Sequence, residues 1–208
     1  VGPGALACLE SHRKAWQALV ESGDKMAMVI EDDLIMSPDF SQFIDNDWWL
    51  DGADIIRLET YPSLSTKFDL KGERTIGNRR IHRLRSSTFG SGAYVISSRA
   101  AETLLQETET LKDHIDALLF HQKSPMFTRL KLFQIIPAPA IQAMELPEDQ
   151  RPDWAKSTLS NERNELSSSV GGGALSNSYK GWTQRLLPWA WKAKALLKGM
   201  RHQRVGFR

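Results

Sequence analysis

Apolar and polar positions along the chain divide it into short periodic blocks. Leu6, Leu9, Trp16, Leu19 and Val20 recur at helical spacing between Ala5 and Ser22, and Gly23 supplies a stop. A short apolar run, Ala27 to Ile30, predicts a buried strand that ends on three consecutive acids, Glu31, Asp32 and Asp33. "SPDFSQFIDND" predicts a helix with Ser37 as cap, Pro38 in the first position and Phe40, Phe43 and Ile44 on its apolar side. "ADIIRLE" predicts a second strand. Thr60 to Ser87 is polar and basic with weak strand signals near "RIHRL", the pattern of a hairpin or a mobile loop.

Further on, two glycines precede a strand at Ala93 to Ile96, with Ser97 or Ser98 capping the helix that follows. "KDHIDALLFHQ" predicts another helix, and "LKLFQIIPAPAIQAM" a β-rich segment interrupted by Pro137 and Pro139. Alternating strands and helices predict an α/β sandwich around a mostly parallel sheet. The composition then shifts to Ser, Asn and Gly, including "SSSVGGG", the signature of a linker. The expected organisation is a catalytic-sized domain over 1–152, a flexible linker over 153–178 and a basic, Trp-containing helical tail over 179–208.

Composition changes this picture little. With 208 residues, 41% hydrophobic and 25% charged, the chain is of ordinary globular make-up. Cys8 is the single cysteine, so no intrachain disulfide and no cysteine cluster for zinc can form. No run of roughly 18 apolar residues is present to span a bilayer. Charge is more informative. The eight Lys and Arg of 179–208 have no acid among them, leaving 19 basic against 25 acidic residues elsewhere. Trp182, Trp189 and Trp191 among those cations suit a helix on an anionic bilayer surface. Nucleic acid is the rival partner for the same cations, and a solvated tail is the third reading.

The acids pose the chemical question. Side chains alternate along a strand, so Glu31 and Asp33 point to one side and Asp32 to the other. Two carboxylates at a strand's carboxyl end make a seat for a hard cation such as Mg²⁺ or Mn²⁺. A solvated strand end with capping acids is the competing reading.

Four blocks, "ACLESHRKAW", "MVIEDDL", "SGAYVISSRAAETLL" and "HIDALL", occur in an order and spacing that resemble glycosyltransferase family 25. That family includes the galactosyltransferases of lipooligosaccharide and lipopolysaccharide biosynthesis. The resemblance implies a GT-A-like (Rossmann-like) fold, a UDP-sugar donor, a glycolipid or oligosaccharide acceptor and inversion at the transferred hexose, with galactose the expected sugar. It implies that Glu31 and Asp33 hold the Mn²⁺ or Mg²⁺, with Asp32 as a further ligand or orienting partner. Asp116 is the first choice for the base that takes the acceptor proton, with Asp113, Glu59 and His114 in reserve. Ser11, His12, Gly90, Ser91 and Gly92 are expected to line the donor and acceptor cleft. His12 has a second reading as a core histidine bonded to backbone, while Trp16 and Tyr94 read as packing.

The family's first strand and helix have no counterpart ahead of Val1, so an N-terminally truncated domain is expected. A glycolipid acceptor favours the bilayer over nucleic acid as the tail's partner, and places the protein at the cytoplasmic face of a bacterial inner membrane. Two alternatives follow from the same residues: a catalytically incomplete domain that binds a glycan or a partner, and a nucleic-acid-binding protein working through the tail.

Overall fold

The computed structural model describes residues 1–110, 113–157 and 195–208. Helix α1 (Pro3–Ser22) begins with proline in its first turn, where a missing N–H costs nothing, and stops at Gly23. Gly23 adopts φ 74°, the left-handed cap that glycine reaches without a Cβ penalty. Leu9, His12, Trp16 and Leu19 form its buried stripe at spacings of three and four. A polar histidine thus sits within the apolar face.

The strands are β1 (Met26–Ile30), β2 (Leu34–Met36), β3 (Ile55–Arg57), β4 (Glu59–Thr60), β5 (Ser65–Asp69), β6 (Arg74–Ile76), β7 (Arg79–Arg83) and β8 (Ala93–Ser97), with β9 (Leu132–Ile136), β10 (Ala140–Gln142) and β11 (Met200–Arg204) after the helices. Those helices are α2 (Ser98–Glu107), α3 (Ile115–Phe120) and α4 (Pro125–Arg129), and α5 (Asp153–Ser157) follows β10. A six-stranded sheet in the order β1-β8-β3-β9-β7-β6 forms the centre. Side chains alternate across it. Ile55, Tyr94, Ile96 and Leu132 meet α1, α2 and α3 on one face, while Ile56, Val95, Phe133 and Ile135 meet Phe40, Phe43 and Trp48 on the other.

The expectation of a mostly parallel sheet is corrected. Within this sheet only β3 and β9 pair in parallel; β1–β8, β8–β3, β9–β7 and β7–β6 are all antiparallel. The reason lies in the connections. The chain leaves β3 through the polar stretch, which folds as β5 and, at the sheet's far edge, the β6–β7 hairpin rather than as a crossover helix, and β8 then runs beside β3 in the reverse sense. Ile76 faces Arg79 across a two-residue turn in which Gly77 takes φ 54°. Because β1 and β3 both run opposite to β8, β1, β3 and β9 still share one direction. Their carboxyl ends meet at one edge of the sheet, where β8 enters with its glycines.

The helix expected from Ser37 is replaced by two short 3₁₀ turns, Phe40–Phe43 and Asn46–Trp48. Ser37 donates its hydroxyl to Asp39 (2.6 Å), and the buried Arg79 guanidinium joins both to the backbone carbonyls of Pro137 and Arg208. Side chain to side chain bonding has displaced the helix cap.

A second sheet, β2-β10-β4, covers the same edge, and β11 pairs antiparallel with β5. Where it is described, the expected helical tail is a helical turn over 195–197 followed by a strand over 200–204. Val205 is buried in the helix-side core. Most of the expected linker and 179–194 of the expected tail lie outside the described residues. No helix among the described residues is long and apolar enough to cross a membrane.

Candidate functional site

The shared edge gathers side chains from five elements. Glu31 follows β1 directly, and its N–H continues the ladder by donating to Gly92 O at 2.7 Å. Its carboxylate is held from three sides. His12 Nε2 lies 3.1 Å from Oε1, Ser91 Oγ 3.4 Å from the same oxygen, and Gln142 Nε2 3.4 Å from Oε2.

The bond directions behind Glu31 follow from the donor inventory. Trp16 Nε1–H has only a proton to give, and it gives it to Tyr94 Oη at 2.9 Å. Burial raises the pKa of Tyr94 far above that of an ordinary phenol, with the Trp16 bond opposing, so the hydroxyl keeps its hydrogen. With His12 in the tautomer protonated on Nε2, that hydrogen points to His12 Nδ1, 2.7 Å away. A ring with one proton then carries it on Nε2 and donates it to Glu31. Trp16, Tyr94, His12 and Glu31 form a one-way chain from core to edge, and the stacked rings of His12 and Tyr94 (centroids 5.7 Å apart, 11° between planes) fix its geometry.

Beneath this lies a second carboxylate. Glu59 is 1% exposed, and its Oε1 accepts the Gly92 N–H at 2.6 Å. Burial pushes its pKa up to about 7; the neighbouring Arg57 opposes the rise, Glu31 adds to it, and the amides of Gly92 and Ala93 oppose it. The buried Arg57 guanidinium donates to the carbonyls of Phe89, Gly90 (3.2 Å) and Glu59 (2.8 Å) and to Gln134 Oε1 (2.9 Å). Gly90 sits at φ 85°, and a Cβ there would meet the Glu59 carboxylate at 2.8 Å. Only glycine lets this loop lie directly on the buried acid.

The structure brings together Glu31, His12, Gly90, Ser91 and Gly92. Asp33 is half-buried beside them, and Asp116 is half-buried at the start of α3, where its Oδ1 accepts the Ala117 N–H at 2.7 Å. Charges on Glu31, Asp116 and Asp33 all act on Cys8, and that of Asp116 also acts on Arg57. Asp32 is exposed, and exposed Ser11 donates its hydroxyl back to Ala7 O at 3.0 Å along the helix. Neither joins the cluster. Of the reserves, Asp113 and His114 are exposed, while Glu59 is at the centre.

Three participants have no counterpart in the sequence reading. Gln142 carries no local signal, Tyr94 reads as core, and Cys8 reads only as a lone thiol. Cys8 is half-buried, and burial first, then Glu31, Asp116 and Asp33, raises its thiol pKa. A signal for it was present in the Cys-x₃-His spacing on one helix face.

Glu31 and Asp33 offer the hard oxygen donors that Mg²⁺ and Mn²⁺ prefer, and both charges converge on Cys8. In donor chemistry these two carboxylates suit a divalent cation.

Comparison with known proteins adds sequence relationships. Residues 1–119 match the profile of glycosyltransferase family 25 (LPS biosynthesis protein). Lacto-N-neotetraose biosynthesis glycosyltransferase LgtE of Neisseria meningitidis serogroup B is 30% identical over 113 residues, covering 50% of this chain and 39% of that protein. Lipooligosaccharide biosynthesis protein lic2B of Haemophilus influenzae is 29% identical over 157 residues, covering 70% and 57%. Lacto-N-neotetraose biosynthesis glycosyltransferase LgtB of Neisseria gonorrhoeae is 28% identical over 124 residues, covering 55% and 44%. The chain spans about half the length of these curated relatives.

Proposed function

The chain belongs to glycosyltransferase family 25, and from that premise we propose that it moves a hexose, galactose foremost, from a UDP-sugar to a lipooligosaccharide- or lipopolysaccharide-type glycan, with inversion. The observation that carries the reading is the Glu31 carboxylate, held by His12, Ser91 and Gln142 beside the Gly90–Ser91–Gly92 loop at the carboxyl ends of β1 and β3, with the charges of Asp33 and Asp116 acting on the adjoining Cys8. Ligands of open α/β sheets bind at such an edge. The names of the relatives, all lipooligosaccharide or lacto-N-neotetraose biosynthesis proteins, support the acceptor class. The common direction of β1, β3 and β9 supports a GT-A-like donor cleft within the mixed sheet.

Glu31 and Asp33 would hold the divalent cation, which when bound would neutralise the leaving diphosphate. His12, Ser91 and Gln142 fix the Glu31 carboxylate, so its orientation is set before any ligand arrives. The backbone of Gly90–Gly92, pinned by Glu59 and Arg57, forms the close wall against which the donor lies. Asp116 accepts the proton of the attacking hydroxyl as the new C–O bond forms and the bond to the diphosphate breaks. Glu59, closed to solvent, acts on the loop rather than on the acceptor. The cations and tryptophans of 179–208 support peripheral attachment to an anionic membrane face, where a lipid-linked acceptor resides.

Calorimetric titration of UDP with and without Mn²⁺ tests the reading. Metal-enhanced binding that disappears in Glu31→Gln is expected, together with transfer from UDP-galactose onto a lipooligosaccharide acceptor. UDP binding indifferent to metal and to Glu31 would overturn it. Binding without turnover would mark a glycan-binding domain instead.

A further inference from the structure

Cys8 and His12 are four residues apart on α1, so one helical turn stacks them on the same face. Glu31 reaches them from the end of β1. One ligand atom from each (Cys8 Sγ, a His12 ring nitrogen and a Glu31 carboxylate oxygen) lies within 4.8 Å of the other two. We propose that these three side chains bind a thiophilic dication, with Zn²⁺ the ion of choice, at a site distinct from the hard-cation seat but sharing Glu31 with it.

The donor set argues for zinc. A thiolate, an imidazole and a carboxylate are borderline-soft ligands that zinc accepts and that magnesium and manganese avoid. Zinc–ligand bonds of about 2.0–2.3 Å place tetrahedral donors roughly 3.5 Å apart; His12 Nε2 and Glu31 Oε1, 3.1 Å apart, already stand that close, and Cys8 Sγ lies within 4.8 Å of them. Three protein ligands leave the fourth position for water. One thiolate and one carboxylate cancel the charge of the ion, and the carboxylates of Asp33 and Asp116 add a field that draws a cation in. The imidazole also has the outer partner that metal-bound histidines need, because Tyr94 Oη lies 2.7 Å from Nδ1.

The protons balance. Zinc entry releases the Cys8 thiol proton to solvent, and the His12 proton shifts from Nε2 to Nδ1. From there it donates to Tyr94 Oη, whose own hydrogen rotates off that line while the oxygen goes on accepting from Trp16. Binding of zinc withdraws Glu31 from the cation seat described above, so zinc opposes Mn²⁺. That consequence, unlike the binding itself, rests on the glycosyltransferase reading.

Cobalt(II) in place of zinc makes the site visible in the full 208-residue chain. A thiolate-to-cobalt charge-transfer band saturating at one equivalent, bleached by Zn²⁺ and accompanied by release of one proton, is expected. Cys8→Ser should remove the band and weaken Zn²⁺ binding by more than the ~10–100-fold typical of losing an outer partner, and His12→Gln should weaken it comparably. Neither variant should abolish the folded circular-dichroism spectrum. A missing thiol-dependent band, or Zn²⁺ affinity unchanged in Cys8→Ser, overturns the proposal. The two readings separate in the same samples. A thiol–cobalt band without Mn²⁺-enhanced UDP binding keeps the zinc site and sinks the transferase reading; the reverse result does the opposite.

Discussion

At the scale of single residues, Glu59 sets a pH dependence with a definite sign. Its carboxyl stands at about 7 in the folded chain against 4.5 for the ordinary group. Between those values the folded chain holds a proton that the unfolded chain has shed, so stability falls as pH rises through the window. The contribution is fully present below 4.5 and lost above about 7, a swing of about 3 kcal/mol at full strength. Urea unfolding at steps from pH 4.5 to 8 should show this slope in the native chain, while Glu59→Gln flattens it. Parallel curves for the two would contradict the assignment. Tyr94→Phe tests the neighbouring chain of bonds. It strips partners from Trp16 Nε1 and His12 Nδ1, and each buried orphan costs about 1–3 kcal/mol. The urea midpoint should drop accordingly, and an unchanged midpoint would show that the phenol bonds nothing of consequence. Glu31 was legible in the sequence because three adjacent acids at a strand end demand a cause. Glu59 was legible only as a reserve base, because its burial against the loop comes from Gly90 and Gly92, more than thirty residues away.

At the scale of elements, local chemistry was read well where no distant side chain intervenes. Ser97 caps α2 as its position promised, its hydroxyl accepting the Ala100 N–H at 3.2 Å. Ser97→Ala should therefore cost about 1 kcal/mol, measurable as a lower thermal or urea midpoint. An effect below a few tenths would mean that α2 is held by packing alone. Strand direction was not legible. Val95 and Ile56 carry the same apolar signal whether their strands run together or opposed. The hairpin across Gly77 and Asn78 decides the matter by turning the chain back before β8. Ser37 shows the same limit in miniature. Its cap potential was real, but Arg79, brought in by that hairpin, recruited it together with Asp39.

At the scale of the whole molecule, the division into an acidic body and a basic tail describes the sequence rather than the fold. Arg201, Arg204 and Arg208 belong to the tail by charge, yet 200–204 lie along β5 and Ala138 pairs with Gly206 and Arg208. Thr60 donates to Val205 O, and Arg79 reaches Arg208 O at 2.6 Å. The last nine residues thus tie together β5, the residues following β3, the start of β7 and the segment after β9. Val205 alone, buried to 4% exposure, contributes about 1.5–3 kcal/mol on leaving water. A chain ending at Gly199 should lose at least that much in urea unfolding. Hydrogen exchange should report the loss first in β5, whose amides lose their partner strand, and only later in β1 and β8 at the far side of the sheet. Equal protection of β5 with and without 200–208 would show that the terminal strand merely rests on a body already complete.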